Sequence, residues 1–136
     1  MPNNTQIANA TVNAQASALA ALLNGGFIDV YDGTQPASSD TAVTTQVKGV
    51  RMTFGATAFA APANGVLTAN ASTSGVATAG ITPTWARLLR SDGTTAVMDL
   101  SAGATNAHIR LGAFTTGTTV GLSSLTHSVA KATAGL

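Results

Sequence analysis

Apolar positions near the start of the chain recur at helical spacing. Ile7, Ala10, Ala14, Ala18 and Leu22 fall at i, i+3/i+4 intervals, and Leu19 and Leu23 widen the stripe. The spacing predicts a helix over 7–23, rich in Ala, the best helix former. Asn9, Asn13, Gln15 and Ser17 fall on the opposite side, polar but uncharged. Asn24-Gly25-Gly26 supplies a left-handed stop.

Beyond Gly26 the period changes from helical to alternating. Residues 27–32 form a β-type run closed by Asp32-Gly33. Residues 33–45 are rich in turn formers and long enough to serve as an interaction loop. From 46 to 54, Val50, Met52 and Phe54 fall on one side, Arg51 and Thr53 on the other. A further strand is predicted to begin at Val66 after the Asn64-Gly65 turn, whereas residues 69–80 carry little pattern.

The clearest element is a hairpin, 84–90 against 94–100 across Ser91-Asp92-Gly93. A two-residue Asp-Gly turn sets Trp85 opposite Leu100, Arg87 opposite Met98 and Leu88 opposite Val97. Trp85, Leu89, Met98 and Leu100 then form the core face. Leu88 and Val97 fall on the outer face, as an apolar pair available to a partner. Residues 107–114 and 119–129 read as two more strands. Short strands with Gly-rich turns and no βαβ alternation predict a mainly β fold. The expected architecture is an antiparallel, jelly-roll-like β-sandwich preceded by one N-terminal α-helix. It forms a single domain, 1–136, with helix and cap in 1–25 and the sandwich in 26–136.

Composition changes the functional picture more than the structural one. Only 8% of residues are charged and none is Glu. An ordinary soluble domain carries about 25% charged residues. Ala and Thr fill about a third of the chain. Such surfaces suit close packing, because little desolvation cost and little rotamer entropy oppose contact. The composition therefore favours a packed structural subunit over an enzyme. The six basic residues, Lys48, Arg51, Arg87, Arg90, Arg110 and Lys131, are scattered, so no nucleic-acid partner is expected. With no Cys, disulfides and thiolate metal sites are excluded. The apolar run 18–23 is too short for a signal h-region or a membrane span, so synthesis in the cytoplasm and no membrane partner are expected.

Catalytic and metal patterns are weak. His108 and His127 are far apart in sequence and lack ligand spacing, so no metal is expected. Asp32 and Asp92 precede Gly and read as turn residues. Asp29 and Asp99 can meet only if the fold brings them together. No Gly-x-Ser-x-Gly elbow, dinucleotide fingerprint or phosphate loop is present, and no cofactor is expected.

Several runs carry a resemblance. These are residues 22–46, including Asn24-Gly25-Gly26-Phe27-Ile28-Asp29-Val30-Tyr31-Asp32-Gly33, and Thr53-Phe54-Gly55-Ala56-Thr57-Ala58-Phe59. Thr84-Trp85-Ala86-Arg87 and Arg90-Ser91-Asp92-Gly93-Thr94-Thr95 complete the set. Together they resemble a family of small proteins of tailed bacteriophages and prophages. The resemblance implies a virion component. By class analogy of fold and size it implies a capsid decoration, or cement, protein on the capsid exterior. Its expected partners are the major capsid protein and itself, as a homodimer or homotrimer. A tail or head–tail connector component, or a carbohydrate-binding module of a phage fibre, are the alternatives. No functional residue transfers with the resemblance. Candidate protein contacts come from the helix (Ile7, Leu19, Leu23), the long loop (Gln35, Pro36, Val43) and the hairpin (Arg87, Arg90). The two arginines suit a bidentate grip on a partner carboxylate or a solvated strand position.

Overall fold

The computed structural model describes residues 5–129 and 132–133. A short strand β1 (Thr5–Gln6) leads into helix α1 (Asn9–Leu23). Then come β2 (Phe27–Tyr31), β3 (Lys48–Thr53), β4 (Val66–Thr68) and β5 (Gly75–Val76). The hairpin β6 (Trp85–Leu89) and β7 (Ala96–Gly103) follows, then β8 (Ile109–Arg110) and β9 (Thr119–Val120). The last strands are β10 (Ser124–Ser128) and β11 (Ala132–Thr133). The fold is thus mainly β with one N-terminal helix, as the sequence pattern predicts.

Seven strands form one sheet in the order β3-β2-β6-β7-β8-β10-β4, and two ribbons, β1-β11 and β5-β9, accompany it. Laid flat, the sheet would separate its edge strands by ~29 Å at the usual spacing. Yet Val50 and Met52 of β3 belong to the same core cluster as Leu67 of β4. Residues of both edge strands thus belong to one core, linked through the strands, loop and helix between them. Ile28, Val30, Ala86, Leu88, Leu100, Ile109 and Leu125 fill that core, and α1 adds Ala16 and Leu23.

One pairing departs from the antiparallel expectation. Strands β7 and β8 run parallel, with Ala102 opposite Ile109 and Gly103 opposite Arg110. Parallel neighbours ordinarily need a crossover of about a dozen residues. Here residues 104–108 suffice, because the chain doubles back in a tight loop. Asn106 takes a left-handed conformation there (φ 51°). Ser101 Oγ accepts the His108 backbone N–H at 3.1 Å and meets His108 Nδ1 at 2.8 Å.

The helix exists where predicted, but a different face is buried. Val12, Ala16 and Leu23 are fully buried, and Leu22 of the expected stripe is 41% exposed. The helix has no charged residue to mark a solvent side, so the period alone left the rotation open. Asn13 settles it, because its Oδ1 accepts the Gly65 N–H at 2.8 Å. Gly25 (φ 68°) ends the helix, and Asn24 Oδ1 accepts the Ala58 N–H at 2.9 Å. Beside β3 the chain passes so close at Gly75 that any Cβ would overlap the Arg51 carbonyl oxygen.

The hairpin register is also corrected. Trp85 faces Ser101, Ala86 faces Leu100, Arg87 faces Asp99 and Leu88 faces Met98, with a bulge before Leu89. The turn is longer than a two-residue loop. Arg90 N–H bonds Thr95 O, and Gly93 N–H bonds Arg90 O. Asp92 accepts from the Thr94 and Thr95 amides at 2.9 and 2.8 Å and from the Thr95 hydroxyl. These bonds hold the Asp92 carboxyl down at about pKa 2. The one-residue shift moves Leu88 from the outer face into the core, so it is not an outward apolar contact.

Candidate functional site: a charged row beneath the long loop

Four adjacent strands each place a charge at the same level of the sheet. Arg51 of β3 lies opposite Asp29 of β2. Asp29 lies opposite Arg87 of β6, which lies opposite Asp99 of β7. The row therefore alternates in sign across β3-β2-β6-β7, on the face turned away from the core residues Ile28, Val30, Ala86 and Leu88.

The pairs are bidentate. Arg51 Nε donates to Asp29 Oδ1 at 2.6 Å, and its Nη2 donates to Asp29 Oδ2 at 2.8 Å. The same Nη2 also donates to the Gly93 carbonyl at 3.0 Å. Arg87 Nε and Nη2 donate to Asp99 Oδ1 and Oδ2 at 2.8 and 2.9 Å. Lys48 Nζ stands 3.8 Å from Asp29 Oδ2. Side-chain exposure is 8% and 4% for Arg87 and Asp99, and 36% and 3% for Arg51 and Asp29. The outer pair is half-wet and the inner one is nearly dry. Each carboxylate raises the pKa of its arginine through the hydrogen bond, so both guanidiniums stay charged.

Aromatic rings flank the row. Tyr31 and Trp85 stack at 4.6 Å with planes 13° apart. The Arg87 guanidinium lies 5.4 Å from the Trp85 ring, and the Arg51 guanidinium 4.8 Å from Phe27. Burial, then the Asp29 charge, pushes the Tyr31 hydroxyl up from its usual pKa.

The long loop between β2 and β3 rests on this row. Trp85 Nε1 donates to Asp32 O at 3.0 Å, and Thr84 Oγ1 to Gly33 O at 2.7 Å. Arg87 Nη2 reaches Ser38 O at 3.5 Å. At the loop's other end, Gln46 Nε2 donates to Thr34 O at 2.6 Å, and Asp32 Oδ1 accepts the Val47 N–H at 2.8 Å. The loop is thus tied at its neck and along one flank. Its exposed residues, among them Thr34, Gln35, Ala37, Thr41, Ala42 and Thr44, are uncharged, and Asp40 is the single charge among them.

The sequence-derived contact residues divide accordingly. Gln35 is exposed on the loop, and Pro36 and Val43 are half-buried in it. Ile7 is half-buried ahead of α1, and Leu19 packs partly against the core. Arg90 is exposed at the hairpin turn. Two assignments are corrected. Leu23 is wholly buried in its own core and presents nothing to a partner. Arg87 grips a carboxylate of its own chain, because the bulged register sets Asp99 opposite it. Asp29 and Arg51 were missed as a pair. The available signal was a central charge amid uncharged neighbours in each of four strands, Arg51, Asp29, Arg87 and Asp99, two of each sign.

The row does not offer acid–base chemistry. Asp29 and Asp99 are two strand spacings apart, ~10 Å, with Arg87 between them. Both carboxylates are occupied by guanidinium donors. The two histidines do come together, contrary to the sequence expectation, with ring centroids 6.1 Å apart. Among the described residues no group of three His, Cys, Asp or Glu is placed to hold a metal.

Burial, then the neighbouring His108, pulls the His127 pKa below its usual 6.5, and His127 Nδ1 is buried without a partner. Above pH 6.5 both folded and unfolded states leave this ring neutral. Below it the unfolded chain binds the proton first, so stability is expected to fall on acidification until the folded ring also protonates. Melting temperatures between about pH 8 and pH 5 check this. The acid slope should shrink in His127→Leu, and an unchanged slope would refute the assignment.

No helix among the described residues is long and apolar enough to cross a membrane. No family model, curated protein or solved structure matches this chain.

Proposed function

We propose that this chain is a structural subunit of a bacteriophage particle, with a capsid decoration or cement role, and not an enzyme. Its partners in this reading are the major capsid protein and further copies of itself, as a dimer or trimer on the capsid exterior. The observation that supports it is the neutral loop held on a buried charged row. A surface fixed before contact loses little conformational entropy on docking, and uncharged short side chains lose little hydration. Several such weak contacts made at once give strong attachment. The reading also draws on the resemblance of residues 22–46 to small phage virion proteins.

A carbohydrate-binding fibre module is less well supported. Such modules stack sugars on exposed aromatic rings, and here Trp85 and Tyr31 are buried against each other. A tail or head–tail connector role shares the same surface physics and differs in copy number.

The test is attachment to assembled shells of the major capsid protein. The wild-type chain is expected to cosediment at a fixed ratio near the number of capsomers. Replacing residues 35–44 by two glycines should reduce occupancy by about ten-fold or more. Absence from shells, or full occupancy without the loop, would refute the decoration reading. A handful of copies per particle would transfer it to the connector.

A further inference from the structure

Among the described residues, Lys48 and Arg51 are held in ion pairs with Asp29, and Arg87 with Asp99. Arg110 differs. It is exposed on β8, and among the described residues its guanidinium meets no carboxylate and makes no hydrogen bond. It borders a solvent-open hollow of about 260 Å³, lined also by Ser101, Asn106, Ala107, His108 and Thr126.

The tight parallel return from β7 to β8 builds this hollow. It sets Gly103 opposite Arg110, and brings Ser101 and His108 within hydrogen-bond distance. Ser101 Oγ accepts the His108 backbone N–H and lies 2.8 Å from His108 Nδ1, so it fixes the orientation of the ring. In the tautomer in which the Ser101 hydroxyl donates to Nδ1, the ring proton sits on Nε2, a donor on an exposed side chain. Asn106 brings an amide NH₂ and Thr126 a hydroxyl. The hollow thus gathers a fixed positive charge and several neutral donors, and no carboxylate lines it. A guanidinium with neutral donors beside it and no carboxylate among the lining residues matches an oxyanion.

We propose that the hollow at Arg110 is an oxyanion-binding site, taking a carboxylate or phosphate group in a bidentate grip from Arg110, with His108, Asn106 and Thr126 completing the contact. The shared chemistry admits two sources, a free anion or an acidic side chain of another protein. The inference stands apart from the particle reading, because it uses none of the long loop.

The experiment is a titration of the isotope-labelled chain followed by NMR. One arm uses inorganic phosphate and the other N-acetyl-aspartate amide, with sodium chloride matched throughout. At low salt, saturable shifts are expected at the Arg110 Nε–H, the Asn106 side-chain amide and the His108 ring, with a Kd on the order of 1–10 mM. Arg110→Gln should weaken binding by about ten-fold or more. Because Arg110 is exposed, an unchanged melting temperature is expected to show that the variant folds. Saturation by phosphate alone identifies a free-anion site, and saturation by the aspartate probe identifies a side-chain site. Either result supports the proposal. It is overturned if neither probe saturates, if shifts spread over every arginine alike, or if Arg110→Gln binds as the wild type does.

Discussion

Replacing Arg87 with alanine is expected to destabilise the protein by about 3–5 kcal/mol, the usual cost of breaking a buried ion pair from one side. The cause is Asp99. Its side chain is 4% exposed and takes both of its close hydrogen bonds from Arg87. Without the guanidinium, a carboxylate stays charged in a nearly dry site, or takes up a proton at a cost. Asp29 also loses the positive neighbour across the β2–β6 pairing. A chain of this size has a total stability of ~7–20 kcal/mol, so the loss is a large fraction of it. The check is urea unfolding of wild type, Arg87→Ala and the double variant Arg87→Met/Asp99→Leu. Removing both charges while keeping volume is expected to recover most of the stability, because the pair's mutual attraction largely offsets its desolvation. A single-variant loss under about 1 kcal/mol would mean that water reaches the pair and that it behaves as a surface contact.

The second large effect is at Trp85. Trp85→Ala is expected to cost about 3–5 kcal/mol through the cavity left by a fully buried indole. It also removes the stack with Tyr31 and the bond to Asp32 O. Trp85→Phe separates the two contributions. A phenyl ring keeps much of the stack and the volume but cannot donate, so about 1 kcal/mol is the expected loss. Its local effect should be on the long loop, whose neck is tied at Asp32. Hydrogen exchange should therefore accelerate at Val47, whose amide bonds Asp32 Oδ1, before it changes in β2 or β6. If loop and sheet amides accelerate together in Trp85→Phe, the indole N–H does not hold the loop.

Strands with strict alternation were legible in the sequence. In β3, Val50 and Met52 point inward, and Phe54 continues the pattern, as the spacing requires. The N-terminal helix was legible as a helix, but not in its rotation. Ala and Leu occur on several sides of it, and the deciding bond from Gly65 to Asn13 comes from 52 residues away. The hairpin was found, and its register holds next to the turn, where Leu89 faces Ala96, but not beyond the bulge. Asp92-Gly93 reads as a two-residue turn, but Asp92 caps two further amides and lengthens the loop. The bulge between Leu88 and Leu89, beyond the turn, changed the partner of Arg87 from Met98 to Asp99. The charged row was visible only as four isolated residues, because its Asp29–Arg51 pair spans 22 positions and follows from strand order. The parallel β7–β8 step broke the usual length rule and so left no pattern to read.

The alternating row has a consequence for how this chain finds its alignment. Most of its side chains are Ala, Thr, Ser or Gly, which fit almost equally well opposite one another. Sliding one strand past its neighbour by two positions keeps the inward and outward faces but strands every charge beside a neutral or apolar group. Four residues thereby single out one arrangement from many near-equivalents. In a molecule so poor in charge, they act as a key cut for a single lock.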